Sequence, residues 1–345
     1  MHKVGVIGHF GFGLNLANGQ TIKTKIVTDT LKNVIQDVVT VDAHGGIKAI
    51  IPVILGCVKC LATCENVIMM LTENGLRVTV PVLAVLNIFF HRKLHYIVIG
   101  GWLPKFLEER KSLKKYLKKF DFIYVETNTM QKALENKGFS NIVVMPNGKK
   151  LEILSENEVS VSKSRPLTLC TFSRVMKEKG IETIVDVVKR INVSEGEIAY
   201  KLDIYGQIDQ GQQQWFEELR RNFPHYITYG GVVPFDQSVK VLKNYFALVF
   251  PTHFFTEGIP GTIIDAYAAG VPVISSKWES YSDVVSEGKT GLGYEFDNLK
   301  QLEQILMDCL DNPDKLYALR QNCLKMANKF TIDEVVKILI ERLSL

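Results

Sequence analysis

The feature that most constrains the fold of this sequence is a repeated alternation of short β-branched runs with longer amphipathic stretches. In the first 150 residues, runs such as "KVGVIG", "NVIMML" and "FIYVE" are each followed by a segment with helical spacing. Parallel strands need helical crossovers, so the alternation predicts βα units and parallel sheets. A second series runs from "PLTLCTFS" to "GLGYEF". The sequence therefore predicts an α/β fold with two doubly wound domains.

The domain boundary is predicted in the polar, serine-rich stretch "LEILSENEVSVSKSRP". We predict an N-terminal domain over residues 1–155, a linker over 156–166 and a C-terminal domain over 167–330. A final helix, at about 331–345, is expected to pack back on the first domain. The 345 residues suit two domains of ordinary size.

Composition excludes several classes of protein. A net charge of +4 is too small to indicate nucleic-acid binding, which needs a strongly basic stripe. The start "MHKVGVIGHF" has the pattern of a strand and not of a secretory signal, so a cytoplasmic location is expected. The apolar runs "AIIPVILGCV" and "VTVPVLAVLNIFF" fall short of the roughly 20 residues of a membrane-spanning helix.

Three of the cysteines, Cys57, Cys60 and Cys64, follow helical spacing without a nearby fourth metal ligand. This pattern predicts a buried helical face in place of zinc or a disulfide. The sequence also has no Asp-x-Asp pair, so a metal held by carboxylates is not predicted. No cofactor is expected besides the nucleotide sugar that serves as substrate.

A group of cations follows the first strand of the second series. Arg174, Lys177 and Lys179 lie in "RVMKEKG", between that strand and a helix predicted to start near Gly180. Cations beside a helix N-terminus at the carboxyl end of a strand suit an anion. A solvated loop is the open alternative.

Two carboxylates frame a helix start in "EGIPGTIIDAYAAG". Glu257 precedes the helix and Asp265 lies within it, on an otherwise apolar element. Unpaired amides at the helix start could bind an anion or sugar hydroxyls, namely those of Gly258, Ile259 and Gly261. The alternative is that Glu257 caps the helix and Asp265 is exposed.

Five motifs in order carry a family resemblance: "FSRVMKEKGIETIVDVV", "LDIYGQ", "YITYGGVVP", "LVFPTHFFTEGIPGTIIDAYAAGVPVISS" and "GKTGLGYEF". Over about residues 165–296 the chain resembles the carboxyl-terminal half of retaining glycosyltransferases of family four. The first half is similar less sharply, through "GFGLNLANGQTIKTKIV", "FIYVETNTMQKALENKG" and "VVMPNGK". The resemblance implies the GT-B fold, with two Rossmann-like domains facing across a cleft.

The resemblance also implies roles for single residues. Arg174 and Lys179 would grip the diphosphate of the sugar donor. Glu257 would face the transferred sugar as the first carboxylate of the Glu-x7-Glu motif. Asp265 would bind the ribose as the second, although Asp here replaces the family's Glu. Further contacts to the sugar donor are implied for Gly206, Gly258, Ile259, Pro260, Gly261 and Thr262.

A glycine-rich loop follows the first strand in "GHFGFGLNLANGQTIKTK", with Gly11, Gly13 and Gly19. It fails as a dinucleotide fingerprint because position 16 is Leu16. As the family's first loop it would reach the sugar donor's phosphates or the acceptor. A generic flexible loop is the alternative.

The segment "LPKFLEERKSLKKYLKKF", at about 103–120, predicts a basic amphipathic helix. Such a helix could lie on an anionic membrane, which would place the protein peripherally at the inner face of the cell membrane. The alternative is that its apolar stripe packs on the sheet and its lysines are solvated.

The resemblance, together with these features, implies a retaining, hexosyltransferase-like enzyme. It would move a sugar from a nucleotide diphosphate sugar to a carbohydrate or lipid-linked sugar acceptor, in polysaccharide or glycolipid assembly. We expect same-face attack by the acceptor hydroxyl without a histidine base; among the histidines, His253 lies near Glu257 in the sequence and merits testing. The alternatives are a nucleotide-sugar epimerase on the same fold and a non-catalytic sugar-nucleotide binding protein.

Overall fold

The computed structural model describes residues 2–14, 19–159 and 162–343, and the chain divides into two compact units. Unit 1 comprises Met1–Lys150 and Phe330–Leu345, and unit 2 comprises Leu151–Lys329. The predicted linker 156–166 thus belongs to unit 2. Parts of three predicted segments lie outside the described residues, namely 15–18 of the glycine-rich loop, with Leu16, 160–161 of the linker and 344–345 of the final helix.

Unit 1 contains a parallel sheet of six strands in the order β2-β1-β3-β4-β5-β6. The strands are β1 His2–Gly8, β2 Val38–Asp42, β3 Cys64–Met70, β4 Lys93–Ile97, β5 Phe122–Val125 and β6 Ile142–Val144. The helices between and after them are α1 Gly19–Val34, α2 Ile50–Thr63, α3 Glu73–Phe90, α4 Leu103–Phe106, α5 Lys111–Leu117 and α6 Asn128–Glu135.

Unit 2 repeats this plan with the strand order β12-β11-β10-β7-β8-β9. Its strands are β7 Leu167–Phe172, β8 Tyr200–Tyr205, β9 Ile227–Gly231, β10 Ala247–Phe250, β11 Val273–Ser276 and β12 Gly291–Tyr294. Its helices are α7 Ile181–Glu195, α8 Gln213–Arg221, α9 Ser238–Leu242, α10 Gly261–Ala268, α11 Tyr281–Val284, α12 Leu299–Asp311, α13 Pro313–Tyr317 and α14 Arg320–Ala327. Short 3-10 turns occur at Gly46–Ala49, Glu156–Glu158, Lys177–Lys179, Gln210–Gln212 and Asn328–Phe330.

Helices cover both faces of the unit 1 sheet. Successive side chains of a strand point to opposite faces, so each strand contributes to both cores. In β3, Val67 and Met69 pack in one core with residues of α2, α3 and α5. Ile68 and Met70 join the core on the other face, with α1 and the last helix, α15 Ile332–Ile340. Unit 1 therefore has three layers, and α15 completes its second core.

In both sheets the strand order reverses beside the first strand of the unit. The chain proceeds to one side from β1 or β7 and then returns to the other side through β3 or β10. Loops after the two strands at such a switch point diverge and leave a crevice, where ligands of open α/β sheets bind. The fold thus marks one candidate binding position in each unit.

The predicted single helix over 103–120 is wrong, because the chain forms two short helices there, α4 and α5. The apolar residues of the segment are buried in the unit 1 core: Leu103, Phe106, Leu107, Leu113, Leu117 and Phe120. The stripe therefore packs on the sheet side, as the alternative stated, and the segment presents mainly lysines to solvent.

Two helical stretches, Gly46–Thr63 and Glu73–Phe90, are long and apolar enough to cross a membrane by length and composition. Each of them, however, connects two strands of the same sheet, β2 to β3 and β3 to β4. Their inner faces pack in the core through residues such as Cys57 and Leu83. We therefore interpret both as crossover helices of a βα fold.

The predicted burial of the three cysteines is confirmed, since Cys57, Cys60 and Cys64 are fully buried. All three are free thiols. Cys64 lies at the start of β3 and not on the helix. Burial raises the pKa of Cys57 to about 12, so this thiol is unreactive at neutral pH.

Candidate active site

The switch point of unit 2 brings together residues that are far apart in the sequence. β7 and β10 are parallel neighbours, so the loops that follow them leave the same edge of the sheet. The first loop carries Arg174 and Lys179, and the second carries Glu257 and leads into α10.

Two glycines allow close backbone contacts of the loop after β7: Gly180 at the end of that loop and Gly206 after β8. Gly180 has a φ of 70°, and a β-carbon there would lie 1.9 Å from the carbonyl oxygen of Pro251. Gly206 has a φ of 133°, and a β-carbon there would lie 1.7 Å from the carbonyl oxygen of Ser173. Glycine is therefore required at position 206 because the backbone of the loop after β7 passes so close to it. The family resemblance did not reveal this structural reason.

Lys179 and Glu257 form an ion pair in which the ammonium donates a hydrogen bond to the carboxylate. The Thr252 hydroxyl donates a second hydrogen bond to the same carboxylate oxygen, at 3.1 Å. The Lys179 ammonium also lies 4.9 Å from the ring centroid of Phe254. Each side chain of the pair is 17% exposed, so the pair is held in place yet remains open to a ligand.

Arg174 is less constrained. Its side chain is 56% exposed, and its guanidinium lies 3.7 Å from a carboxylate oxygen of Asp209. An exposed pair at this distance is weak, so the guanidinium can turn to an arriving anion. Lys177, the third cation of this loop, is also exposed.

The start of α10 offers further polar groups. Pro260 is the N-cap residue, and its carbonyl accepts from the amides of Ile263 and Ile264. Helix starts leave amides without intrahelical partners. The side-chain hydroxyl of Thr262 is buried and has no hydrogen-bond partner among the described residues. A buried hydroxyl without a partner costs stability.

The alternative reading of the two carboxylates is wrong on both counts. Glu257 does not cap the helix, because its carboxylate bonds to Lys179 and Thr252 and the N-cap is Pro260. Asp265 is only 4% exposed, and it lies among buried residues of α10.

His253 is engaged by both ring nitrogens. Nδ1 lies 2.6 Å from a carboxylate oxygen of Asp297, and Nε2 lies 3.1 Å from the Thr183 hydroxyl. This arrangement anchors the loop after β10 to α7 and to the chain beyond β12. The histidine therefore has a structural role, although it is near Glu257 in sequence.

The switch point of unit 1 holds a cavity of about 390 Å³ between the strand ends and the starts of α2 and α3. Residues that directly follow β1, β2 and β3 line it, among them His9, Ala43, Leu71 and Thr72. Most of the other lining side chains are apolar. The cavity therefore suits a ligand with both a polar group and an apolar part.

A chain of hydrogen bonds stands beside this cavity. Nδ1 of His9 lies 2.8 Å from the Thr21 hydroxyl, and Nε2 of His9 lies 2.9 Å from Nδ1 of His44. Burial, and then the neighbouring His44, lower the pKa of His9, which favours the neutral ring. No sequence pattern indicates this pair, because the histidines are 35 positions apart and meet only at the sheet edge.

Asp42 holds the start of the glycine-rich loop through hydrogen bonds to backbone amides. Its carboxylate accepts from the amides of Phe10, Phe12 and His44, at 2.9, 3.1 and 2.9 Å. Burial alone would raise the pKa of Asp42, but these hydrogen bonds outweigh it and lower the pKa.

The glycines of that loop differ in their conformations. Gly11 and Gly13 have φ values of 56° and 81°, which favour glycine. Gly19 begins α1, whose Lys23 forms a buried 2.6 Å ion pair with Glu126 after β5. The described part of the loop is thus tied to the sheet at both ends.

Comparison with known proteins identifies the family. The model of the glycosyl transferases group 1 matches residues 153–329, which include both loops of the unit 2 site. The chain belongs to the group 1 glycosyl transferases. The predicted GT-B fold is confirmed, because HepE of Anabaena, solved in complex with UDP-glucose, superposes with a TM-score of 0.75 over 99% of both chains, at 14% identity.

Two curated relatives are similar over part of this group 1 glycosyl transferase. An uncharacterized glycosyltransferase of Methanocaldococcus jannaschii is 23% identical over 65% of the chain and 62% of its own length. An uncharacterized 41.2 kDa protein in the cps region of Klebsiella pneumoniae is 27% identical over 48% of the chain and 43% of its own length. The chain thus spans less than two thirds of the length of these curated relatives.

The structure brings together most of the residues that the resemblance singled out in unit 2. Lys179, Glu257 and the segment 258–262 lie around one switch point. Gly206 contacts the same loop through Ser173. Gly11 and Gly13 belong to unit 1, in the loop after β1, and do not line the cavity there.

Proposed function

We propose that this group 1 glycosyl transferase is a retaining enzyme of the family-four type. It moves a sugar, a hexose in the simplest case, from a nucleotide diphosphate sugar to a hydroxyl of the acceptor. The observation that carries the proposal is the pairing of Lys179 with Glu257 beside the start of α10, at the switch point of unit 2.

The sugar donor's diphosphate binds at the cations and the helix start. Arg174, with its exposed guanidinium, and Lys179 neutralise the phosphates, and the first amides of α10 point at the same anion. Negative charge grows on the diphosphate as the glycosidic bond breaks. Cations and amides fixed in advance stabilise that charge without reorganising.

The ion pair gives Glu257 its role. When phosphate oxygens attract the Lys179 ammonium, the Glu257 carboxylate becomes available to accept hydrogen bonds from hydroxyls of the sugar. Thr252 keeps the carboxylate in position throughout. Binding of the sugar donor thereby orients the sugar and places its leaving group.

Retention follows if the acceptor hydroxyl attacks from the face that the diphosphate leaves. The departing phosphate oxygen then takes the hydroxyl proton, and no protein base is needed. The engagement of His253 by Asp297 and Thr183 supports this route. In this route Glu257 orients the sugar through hydrogen bonds and forms no covalent bond to it.

The nucleotide is proposed to lie along α10, with its ribose at Asp265. The transferred sugar and the phosphates of the donor then contact the segment from Gly258 to Thr262. The Thr262 hydroxyl gains a hydrogen-bond partner there. Gly206 stands at the end of the neighbouring β8, where a nucleotide can approach the backbone.

The acceptor is proposed to bind in the cavity of unit 1, with a hydroxyl near His9 and its apolar part among the lining side chains. A carbohydrate or lipid-linked sugar acceptor fits such a lining. Polysaccharide or glycolipid assembly at the cytoplasmic face of the cell membrane is the corresponding setting, and the relative from a cps region is consistent with it.

A panel of UDP, GDP, ADP and dTDP sugars tests the proposal. The matching nucleotide sugar should raise the melting temperature in proportion to occupancy. It should also yield a product whose anomeric configuration, measured by NMR, matches that of the sugar donor. A product of inverted configuration would exclude retention, and an altered free sugar formed without acceptor would favour the epimerase.

A further inference from the structure

An exposed apolar surface in unit 1 is the strongest feature that the proposed reaction leaves unused. Among the described residues, seventeen large hydrophobic side chains are exposed, and eight of them lie between positions 47 and 89. Seven of these form the outer sides of two helical stretches; we call them the apolar face: Ile47, Ile51, Leu55, Val58, Val85, Ile88 and Phe89.

The apolar face spans two neighbouring helices. α2 and α3 contact each other on the same side of the sheet, and their opposite sides are buried in one core. Ile51, Leu55 and Phe89 are 71%, 64% and 79% exposed. Single exposed apolar residues are ordinary, but a cluster on adjacent helices marks an interaction surface.

Exposed lysines lie on the helix next to α3. α3 also contacts α5, which with the turn after it carries the exposed lysines that we call the basic strip: Lys111, Lys115, Lys118 and Lys119. α2 itself contains no acidic residue, and its one charged residue is Lys59. An apolar surface beside lysines complements a membrane with anionic headgroups.

We propose that unit 1 lies on an anionic membrane through the apolar face, with the basic strip on the headgroups. This inference rests on the membrane-side setting of the proposed function. The apolar contact moves from the buried stripe of segment 103–120 to the apolar face, and lysines of that segment keep the headgroup contact. The two helices lie in the interface and do not span, because each must return the chain to the sheet from which it came.

The cavity of unit 1 opens at one end of this surface. Ile47 belongs to the apolar face and also lines the cavity, together with Ile50 and Val78. An acceptor whose apolar part stays in the bilayer could therefore reach the cavity along α2. The surface thus favours a lipid-linked acceptor over a soluble carbohydrate.

Cosedimentation of the full chain with phosphatidylcholine vesicles, with and without phosphatidylglycerol, tests the proposal. The apolar-face variant is Ile51→Gln, Leu55→Gln, Ile88→Gln and Phe89→Gln, which leaves out the residues that line the cavity. We expect it to lose about a hundredfold or more in partitioning to either vesicle. The matched control changes exposed hydrophobic residues of unit 2, Val193→Gln, Val232→Gln and Phe235→Gln, and should partition like the unchanged protein.

A basic-strip variant with all four lysines changed to Gln should lose about tenfold or more on phosphatidylglycerol vesicles and little on neutral ones. Both variants should retain the melting temperature and the thermal shift with the sugar donor, since these report folding and the unit 2 site. If the proposed function is wrong, the thermal shift with the sugar donor will be absent, whereas partitioning to vesicles will be unaffected.

Equal partitioning of the apolar-face variant and the unchanged protein would overturn the proposal. A second result would also overturn it: the unchanged protein does not bind vesicles, and sedimentation velocity shows that it is a dimer whereas the apolar-face variant is a monomer. In that case the face joins two copies of the chain.

Discussion

Lys179 donates a hydrogen bond to the carboxylate of Glu257, although the two residues are 78 positions apart in the sequence. The pair exists because β7 and β10 are adjacent, so their following loops meet at one edge of the sheet. In the proposed reaction the sugar donor divides the pair, taking the ammonium for its phosphates and the carboxylate for its sugar.

Substitution Glu257→Gln should reduce transfer about a hundredfold or more and leave nucleotide binding largely intact. The amide keeps the size of the side chain and removes the charge that orients the sugar. Calorimetric titration with the nucleoside diphosphate, together with turnover, separates these effects. Glu295→Gln, which removes the exposed pair with Lys277 in the same unit, serves as the control. Normal transfer by Glu257→Gln would contradict the assignment.

Substitution Lys179→Ala or Arg174→Ala should each slow turnover about a hundredfold or more, a loss of about 3 to 4 kcal/mol in transition-state stabilisation. Lys179→Ala also leaves Glu257 without its cation, so a lower melting temperature is expected for that variant alone. Lys277→Ala is the matched control. Near-normal rates in folded protein would refute the diphosphate assignment.

Substitution Gly180→Ala should lower the free energy of unfolding by at least about 3 kcal/mol, because its β-carbon would collide with the Pro251 carbonyl. Gly196→Ala is the matched control. Gly196 has a similar φ, 69°, with nothing of the described chain within 4 Å of an added β-carbon. It should therefore lose only about 1 to 2 kcal/mol from left-handed strain. Denaturant unfolding of the two variants checks the difference, and equal losses would contradict the collision.

His95 predicts how stability depends on pH. The residue is fully buried between the Tyr124 hydroxyl and the Asn66 side chain, and burial lowers its pKa to about 3. The unfolded state, with a pKa near 6.5, binds the extra proton first. Stability from this group is therefore present above pH 6.5 and is lost as the pH falls toward 3, by up to about 1.4 kcal/mol per pH unit.

Unfolding midpoints measured from pH 7 to pH 4.5 check this dependence. His95→Gln has no titrating ring, so its stability should fall less over the same range, even if it is lower at pH 7. Parallel curves for the two proteins would show that another group controls the acid transition.

The sequence was sufficient for the two sheets, because β-branched runs and helical spacing are local signals for alternating βα units. Through the family resemblance it also singled out Lys179 and Glu257, but it did not show that their side chains contact each other. The segment 103–120 was misjudged, since spacing alone cannot show where a turn interrupts a helix or which surface covers its stripe. The His9–His44 contact and the apolar face depend on tertiary packing, which no single segment encodes.

Asp265 offers the sharpest test of the ribose position, because it is where this chain departs from the Glu of the motif it resembles. If its carboxylate accepts from ribose hydroxyls, the unchanged protein should bind the matching nucleoside diphosphate more tightly than its 2′-deoxy counterpart. Asp265→Asn should weaken binding of the ribonucleotide and narrow the difference between the two ligands, since part of that difference resides in the contact. A preference that stays the same in Asp265→Asn would place the ribose elsewhere, and it would leave the 4% exposed carboxylate a purely structural role in α10.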